Sequence, residues 1–389
     1  MAAPPYDVLD SDEARALAKG NPLSFLHVNK AEIDLTPTVD VHDTVVYDKA
    51  IENFKRFRQE GVLVQEAAPV LYLYQLIREG YAQTGLVTCC HVEDYERDII
   101  RKHEKTLKAK EDDRMRHVVA LNAHTGPVFL AYRPHAELDA LAKAFQTDAP
   151  LFDFTAADGV QHRIWRVPDT SSWIQTFTGI PVAYIADGHH RAAAAVRVAQ
   201  ERRAANPRHT GTEEYNWFMA VLFPSNQLRI LPYNRCVKDL NGLTPTAFLE
   251  RVRKAGFTVI QKAPPQPTES RNVSMYLAGQ WLALNWQPNL QADAVTCLDV
   301  SVLQDRLLGP ILGIDDLRKN PRIEFVGGIR GVGELQQRVN DGRAAVAFSM
   351  HPTTMDQLLA IANAGQIMPP KSTWFEPKLK DGLFLHDLG

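Results

Sequence analysis

The sequence predicts an α/β protein, an α+β arrangement on a mixed sheet, and three observations carry that expectation. Apolar runs of strand length recur at residues 70–76, 128–132, 217–223 and 344–350, with helical patterns between them. At residues 181–186 one such run passes through Asp187-Gly188-His189-His190-Arg191 into four consecutive alanines, which favour a helix, so the polar block is a strand-to-helix turn. Breakers such as Asn21-Pro22, Pro69, His124-Thr125-Gly126-Pro127 and Asp158-Gly159 separate the runs. A chain of 389 residues has material for more than one packed unit. The boundary is placed at Val237, giving residues 1–236 with the polar turn and an α/β region over residues 237–389.

Taken in order, residues 11–18 read as a capped helix and residues 25–30 as a strand with polar alternation. Ile51, Phe54 and Phe57 at helical spacing predict an amphipathic helix over 45–61. Strands follow at 70–76 and 84–92. The charged stretch 94–116 has only Ile99, Ile100 and Leu107 as apolar anchors and is read as a helix. Strands at 118–122 and 128–132, a helix at 138–145, and strands near 151–154 and 163–167 around the Asp158-Gly159 hairpin lead to the polar turn. Beyond it come a loop at 206–212 and a strand at 217–223, with residues 228–235 as its hairpin partner. A helix at 246–254, a hairpin around Gly279, a strand at 323–326, a strand at 344–350 and a helix ending at Gly365 complete the pattern.

Composition narrows the function. A formal net charge of −3 argues against holding a long polyanion by bulk electrostatics, so nucleic acid is not the expected partner. No apolar run approaches a membrane span, and Met1-Ala2-Ala3-Pro4-Pro5-Tyr6-Asp7 lacks both regions of a secretory signal, so the chain is expected in the cytoplasm. Cys89, Cys90, Cys236 and Cys297 have no paired metal-ligand spacing and read as reduced thiols.

Three polar stretches carry chemistry. The first backbone N–H groups of a helix have no intrahelical partner and face anions favourably. Gly188 lets a ligand approach the backbone, His189, His190 and Arg191 add donors, and Asp187 is available to a cap or a metal. A capped helix with ordinarily bonded histidines is the alternative. On a helix over 94–116, His103 and Thr106 lie one turn apart and Lys110, Asp113 and Arg114 continue the same side, which would present a base, a hydroxyl and cations together. A charged surface helix explains the same residues without a site. Pro369-Pro370 would fix Lys371-Ser372-Thr373 as a phosphate clamp, or simply make a rigid turn. The glycines from Gly327 to Gly333 follow a strand and precede a helix, but their spacing is not a dinucleotide fingerprint.

The Asp187 to Arg191 block resembles the Asp-Gly-His-His-Arg turn of a widespread bacterial and archaeal family catalogued as a domain of unknown function. The resemblance extends from Pro5-Tyr6-Asp7-Val8 through residues 21–28 and His103-Glu104-Lys105-Thr106 to residues 368–373. The turn is also similar to that of the ParB/sulfiredoxin superfamily, whose members include nucleotide-dependent kinases of free serine. That resemblance implies a ParB/sulfiredoxin-like phosphate-binding core and a kinase of a small hydroxyl compound, with ATP or ADP as donor, Mg2+, and L-serine as acceptor. Gly188, His189, His190, Arg191, Arg114, Lys371, Ser372 and Thr373 would then bind phosphate. Glu104 or His103 would be the base, Asp187 the metal ligand or a catalytic group, and His27, Glu32, Arg97 and Lys110 substrate contacts. The family commonly has a histidine where Asn234 stands, which would leave that role to Arg235 and the asparagine amide. A nucleotide-binding regulator without turnover and a ParB-like nucleotide or nucleic-acid hydrolase are the alternatives, and a homo-oligomer is left open. Sulfiredoxin chemistry needs a cysteine in the turn, where this chain has histidine.

Overall fold

The computed structural model describes residues 1–289 and 291–389. The chain forms two compact units, one of Met1–Leu228 with Pro377–Gly389 and the other of Arg229–Glu376.

The first unit is built on β1 (Leu71–Arg78), β2 (Tyr81–His91), β3 (Ile100–Arg101), β5 (Val128–Tyr132), β6 (Phe152–Thr155), β7 (Gln161–Val167), β8 (Ala183–Asp187) and β9 (Trp217–Pro224). Their order is β3-β8-β5-β9-β2-β1-β7-β6. The β3–β8 and β5–β9 pairs are parallel and the others antiparallel, so the sheet is mixed as expected. A two-residue β4 (Ala123–His124) pairs with β18 (His386–Asp387).

Against this sheet lies α8 (His189–Ala205), whose buried Ala192, Ala195 and Ala199 join Leu130, Ile185, Phe218 and Leu222 in one apolar cluster. Alanines have no bulk to hold the helix off the sheet, and their helix propensity keeps the first turns regular. A second cluster unites α1 (Ser11–Ala18), α2 (Leu26–Asn29) and α3 (Thr44–Gln59) through Phe25, Leu26, Val28, Phe54 and Phe57. Asp10 and Glu13 form a reciprocal cap on α1, and Asp43 caps α3.

Three local expectations fail here. Within residues 25–30, Leu26–Asn29 form α2 in place of a strand, because Phe25, Leu26 and Val28 are all buried in the α1–α3 layer and cannot alternate between two faces. The stretch 94–116 is not one helix: α4 (Val92–Glu96) ends, β3 adds to the sheet edge by parallel pairing with β8, and only then does α5 (Lys108–Leu121) begin. Burial of Ile100 in the sheet outweighs the helical charge pattern. Residues 118–121 continue α5 instead of forming a strand, and the helix stops at Asn122 in the left-handed region, φ 52°. The expected hairpins at Asp158-Gly159 and Gly279 are both present.

The second unit holds β11 (Tyr233–Val237), β12 (Thr258–Gln261), β13 (Asn272–Leu277), β14 (Gln280–Asn285), β15 (Ile323–Gly327) and β16 (Val346–Ser349) in the order β12-β14-β13-β16-β11-β15, all antiparallel. Alongside, β10 (Ile230–Leu231) pairs with β17 (Trp374–Phe375), so residues 228–235 are not the hairpin partner of β9. The unit also contains α9 (Pro245–Lys254), α10 (Asp299–Leu303), α11 (Gly331–Asn340) and α12 (Met355–Asn363). A boundary drawn at Val237 cuts through β11, whereas the compact units part at Leu228 and the last residues belong with the first unit. Among the described residues no helix is long and apolar enough to cross a membrane.

Candidate functional site

The polar turn closes the C-terminal end of β8 and opens α8. Gly188 occupies the helix-cap position at φ 90°, a conformation that side-chain-bearing residues rarely adopt, and it has no side chain with which to cap the helix. The backbone N–H groups of His189, His190 and Arg191 form the first turn of a 17-residue helix whose dipole is positive there.

Asp187 is not the cap. Its Oδ1 accepts from the adjacent Gly188 N–H at 2.9 Å, and its Oδ2 takes Lys378 Nζ at 2.7 Å. Burial alone would raise its pKa, but Lys378 and Arg191 outweigh burial and hold the carboxyl below the ordinary aspartate range. Among the described residues no group of three or more His, Cys, Asp or Glu side chains is arranged to hold a metal ion. Asp187, already committed to a lysine, does not fit a protein-built magnesium site. The ion pair takes the place of the metal contact expected from sequence.

His103 and Glu104 lie in the loop between β3 and α5, not on a helix, and the loop is brought to the turn. The His103 and His189 rings meet edge to face with centroids 4.5 Å apart, and Leu107 N–H donates to His190 Nε2 at 3.1 Å. Burial pushes the His103 pKa down to about 4, and burial followed by the neighbouring His103 lowers that of His189. Two neutral imidazoles can pack this closely where two cations could not. Neither His103 nitrogen makes a hydrogen bond of ordinary geometry, although the Ile185 carbonyl faces the ring. Glu104 Oε2 stands 4.0 Å from His189 Nδ1, and its side chain is 36% exposed, so a carboxylate and an imidazole stand at the start of α8.

Arg191 folds back over the turn. A side chain at Gly188 would bring its first carbon 3.0 Å from the Arg191 Nε, a tight contact that adds to the demand the positive φ already makes for glycine. The guanidinium donates through Nη1 to the Pro127 carbonyl and lies 3.9 Å from Asp381. Arg114 on α5 pairs with its neighbour Asp113 at 2.6 Å and stacks on the Tyr6 ring at 3.8 Å, and together with Arg191 it borders one cavity. It is therefore near the turn, though already carrying a carboxylate partner.

Other expected residues have partners of their own or belong to other parts of the chain. His27 bonds Asp34 at 2.7 Å and the Asn21 carbonyl at 3.2 Å, while buried Glu32 accepts from Ser11 at 2.9 Å and pairs with Lys30 at 3.0 Å. Both stabilise the N-terminal helical layer. Arg97 pairs with Glu93 at the surface, and Lys110 is exposed on the first turn of α5. Lys371, Ser372 and Thr373 belong to the second unit. There the Lys371 carbonyl accepts from Arg235 at 3.1 Å, the Ser372 carbonyl accepts from Thr353 at 3.0 Å, and the Ser372 hydroxyl donates to Pro369 at 2.6 Å. That hydroxyl locks its own turn. Asn234 accepts from Met350 N–H at 3.0 Å, and fully buried Arg235 donates to backbone carbonyls, so both build the interior of their unit.

Sequence reasoning stopped at Phe375 and missed the segment that returns to the first unit. Lys378 reaches Asp187, Lys380 pairs with Asp158, and Asp381 reaches Arg191 and Asn29. The signal available was the charged run Lys378-Leu379-Lys380-Asp381 before Gly382, with nothing in the sequence to name its partners.

The chain belongs to the family described as "Protein of unknown function (DUF1015)", whose model matches residues 1–301. No curated protein matches it. Among solved structures it is similar to "Free serine kinase in complex with AMP", with 14% identity over 74% of this chain and 86% of that one and a TM-score of 0.40. It is also similar to a conserved hypothetical protein from Pyrococcus furiosus, with 13% identity, 76% and 94% coverage and a TM-score of 0.39. A third is "SbnI with C-terminal truncation from Staphylococcus aureus", with 10% identity, 75% and 84% coverage and a TM-score of 0.42.

Proposed function

We propose that the Gly188 to Arg191 turn binds the phosphates of ATP or ADP and that the protein transfers a phosphoryl group to a small hydroxyl compound, with free L-serine the first acceptor to test. The observation that carries this reading is the glycine-capped N-terminal end of α8, whose first turn carries His189 held neutral by burial, His190 tied to the 103–107 loop, and cationic Arg191. Backbone donors and a fixed cation are what a transferring phosphoryl group requires, since catalysis of that step is mainly positioning and charge neutralisation. The His103 to Leu107 loop, tied to both turn histidines, would border the phosphates and offers Glu104. A ParB/sulfiredoxin-like core is consistent with the mixed sheet and the strand-turn-helix position of the site. Magnesium is expected to enter with the nucleotide, because Asp187 is engaged by Lys378.

The test is direct detection of a phosphorylated product by phosphorus NMR. The native chain is incubated with ATP or ADP, magnesium and a panel of small hydroxyl compounds. Transfer to one compound of the panel is the expected outcome. Tight nucleotide binding with no transfer would favour a regulator without turnover, and no binding would remove phosphate from the turn.

A further inference from the structure

Asp381 is built into the first unit with unusual care. Its backbone bridges Ala3 in both directions, at 2.9 and 3.1 Å, and its Oδ2 accepts from Asn29 Nδ2 at 2.5 Å. Both neighbouring glycines are needed for this placement: a Cβ on Gly126 would overlap the Asp381 carboxylate, and one on Gly382, at φ 78°, would overlap Phe25. Yet Oδ1, on a side chain only 1% exposed, makes no hydrogen bond, its ion-pair partner Arg191 Nη1 standing 3.9 Å away, and Arg191 Nε, on a side chain 10% exposed that lines the same cavity, makes none either. A buried carboxylate oxygen left without a hydrogen bond carries a desolvation cost, so an arrangement this constrained calls for a further partner. The cavity measures about 30 Å³, room for a hydroxymethyl-sized group and not for a nucleotide.

One unused donor and one unused acceptor, on two residues that line the same small cavity, match a hydroxyl, which accepts from the first and donates to the second. We infer that Asp381 Oδ1 and Arg191 Nε bind the hydroxyl of a small primary alcohol and that Asp381 is the base that accepts its proton. The inference rests on the phosphoryl-transfer reading, and Arg191 joins the two halves of it, lying over Gly188 on one side and beside Asp381 on the other. In the step, the alcohol oxygen bonds to the terminal phosphorus as the bond from that phosphorus to the bridging oxygen breaks. The shortened nucleotide leaves with the bridging oxygen, and the proton passes to Asp381 and then to solvent. The base is thus relocated from Glu104.

The charges around Asp381 are consistent with the role. Burial, with the nearby Asp7, lifts its pKa to about 6, against Arg191, Asn29 and Arg114. Tyr6, His117 and His124 line the same cavity, and burial drives both histidines down to about 3, so they stay neutral above that. A base of this kind is ionised at neutral pH and close enough to it to hold a proton during transfer.

The experiment compares the native chain with Asp381→Asn and Asp381→Glu, using ATP or ADP with magnesium and L-serine. Nucleotide affinity is measured alongside turnover and its pH profile. The expected result is a loss of transfer of about a hundredfold or more in Asp381→Asn with nucleotide affinity within about twofold of native. The rise of native activity through pH 6 should be absent from the residual activity. If Asp381→Asn does not fold, Asp381→Glu, which keeps the charge and displaces it, should bind nucleotide and fail to transfer. Native-like turnover in either variant overturns the inference and leaves the kinase reading standing; no transfer by the native chain to any alcohol overturns both.

Discussion

Two turns in this protein carry glycine between a strand and a helix, and they do different things with it. In the first unit, Gly188 sits at φ 90° beneath a guanidinium, with histidines and an aspartate on either side. In the second, between β15 and α11, Gly327 and Gly328 are small because apolar groups crowd them: a Cβ would come 2.7 Å from the Trp374 ring at one and 2.7 Å from Pro232 at the other. Gly331 in the same loop has a left-handed backbone with nothing near it, an ordinary turn. Glycine before a helix marks a close approach in both places, and the identity of the approaching group separates the proposed ligand site from a packing contact.

The comparison can be broken by exchange of the glycines. Gly188→Ala forces a methyl group against Arg191 at a strained φ, and nucleotide affinity should fall by tenfold or more in calorimetric titration. Gly327→Ala should instead leave that affinity unchanged while lowering stability by about 1–3 kcal/mol, read from denaturant unfolding, through overpacking against Trp374. Affinity lost in Gly327→Ala and retained in Gly188→Ala would reverse the assignment.

Arg191→Ala should also weaken nucleotide binding by about an order of magnitude, the worth of one charge-assisted contact. Glu104→Gln sharpens the division of labour within the site. With Asp381 as base, it should reduce transfer by less than about tenfold, well short of the loss in Asp381→Asn.

Two smaller effects are read as pH dependence of stability. His103 folds with its pKa lowered to about 4, so the unfolded chain binds its proton first and stability is lost as pH falls from about 6.5 toward 4. The loss is about 3 kcal/mol for a buried imidazole, and His103→Gln should flatten this part of the melting profile. Asp187 has a depressed pKa, so its contribution is present above the ordinary aspartate range and disappears as pH falls below it. Lys378→Ala should be less stable than the native chain at pH 7, with the difference narrowing toward pH 3.

Much of the site was legible because its signals are local. An apolar strand, a polar pentapeptide and a run of alanines describe β8, the turn and α8 within one short window. The same local logic misread residues 94–116, where the charge pattern suggests a helix but Ile100 pairs with Ala183 of β8. It misread Val118 and Val119 as strand because β-branched residues favour strands, although here they complete a helical turn. Lys378 and Asp381 were out of reach for a different reason. Their partners Asp187 and Arg191 lie some 190 residues earlier, and no periodicity or cap encodes a contact of that range. The proposed base is therefore a residue that only the fold brings to the turn.

The most direct test of the account is a crystal structure of the chain with ADP bound. The phosphates are expected within hydrogen-bond distance of the His189 and His190 amides, with Arg191 beside them. Phosphates bound instead at the Gly327 to Gly333 loop, with the Gly188 turn unchanged, would contradict it.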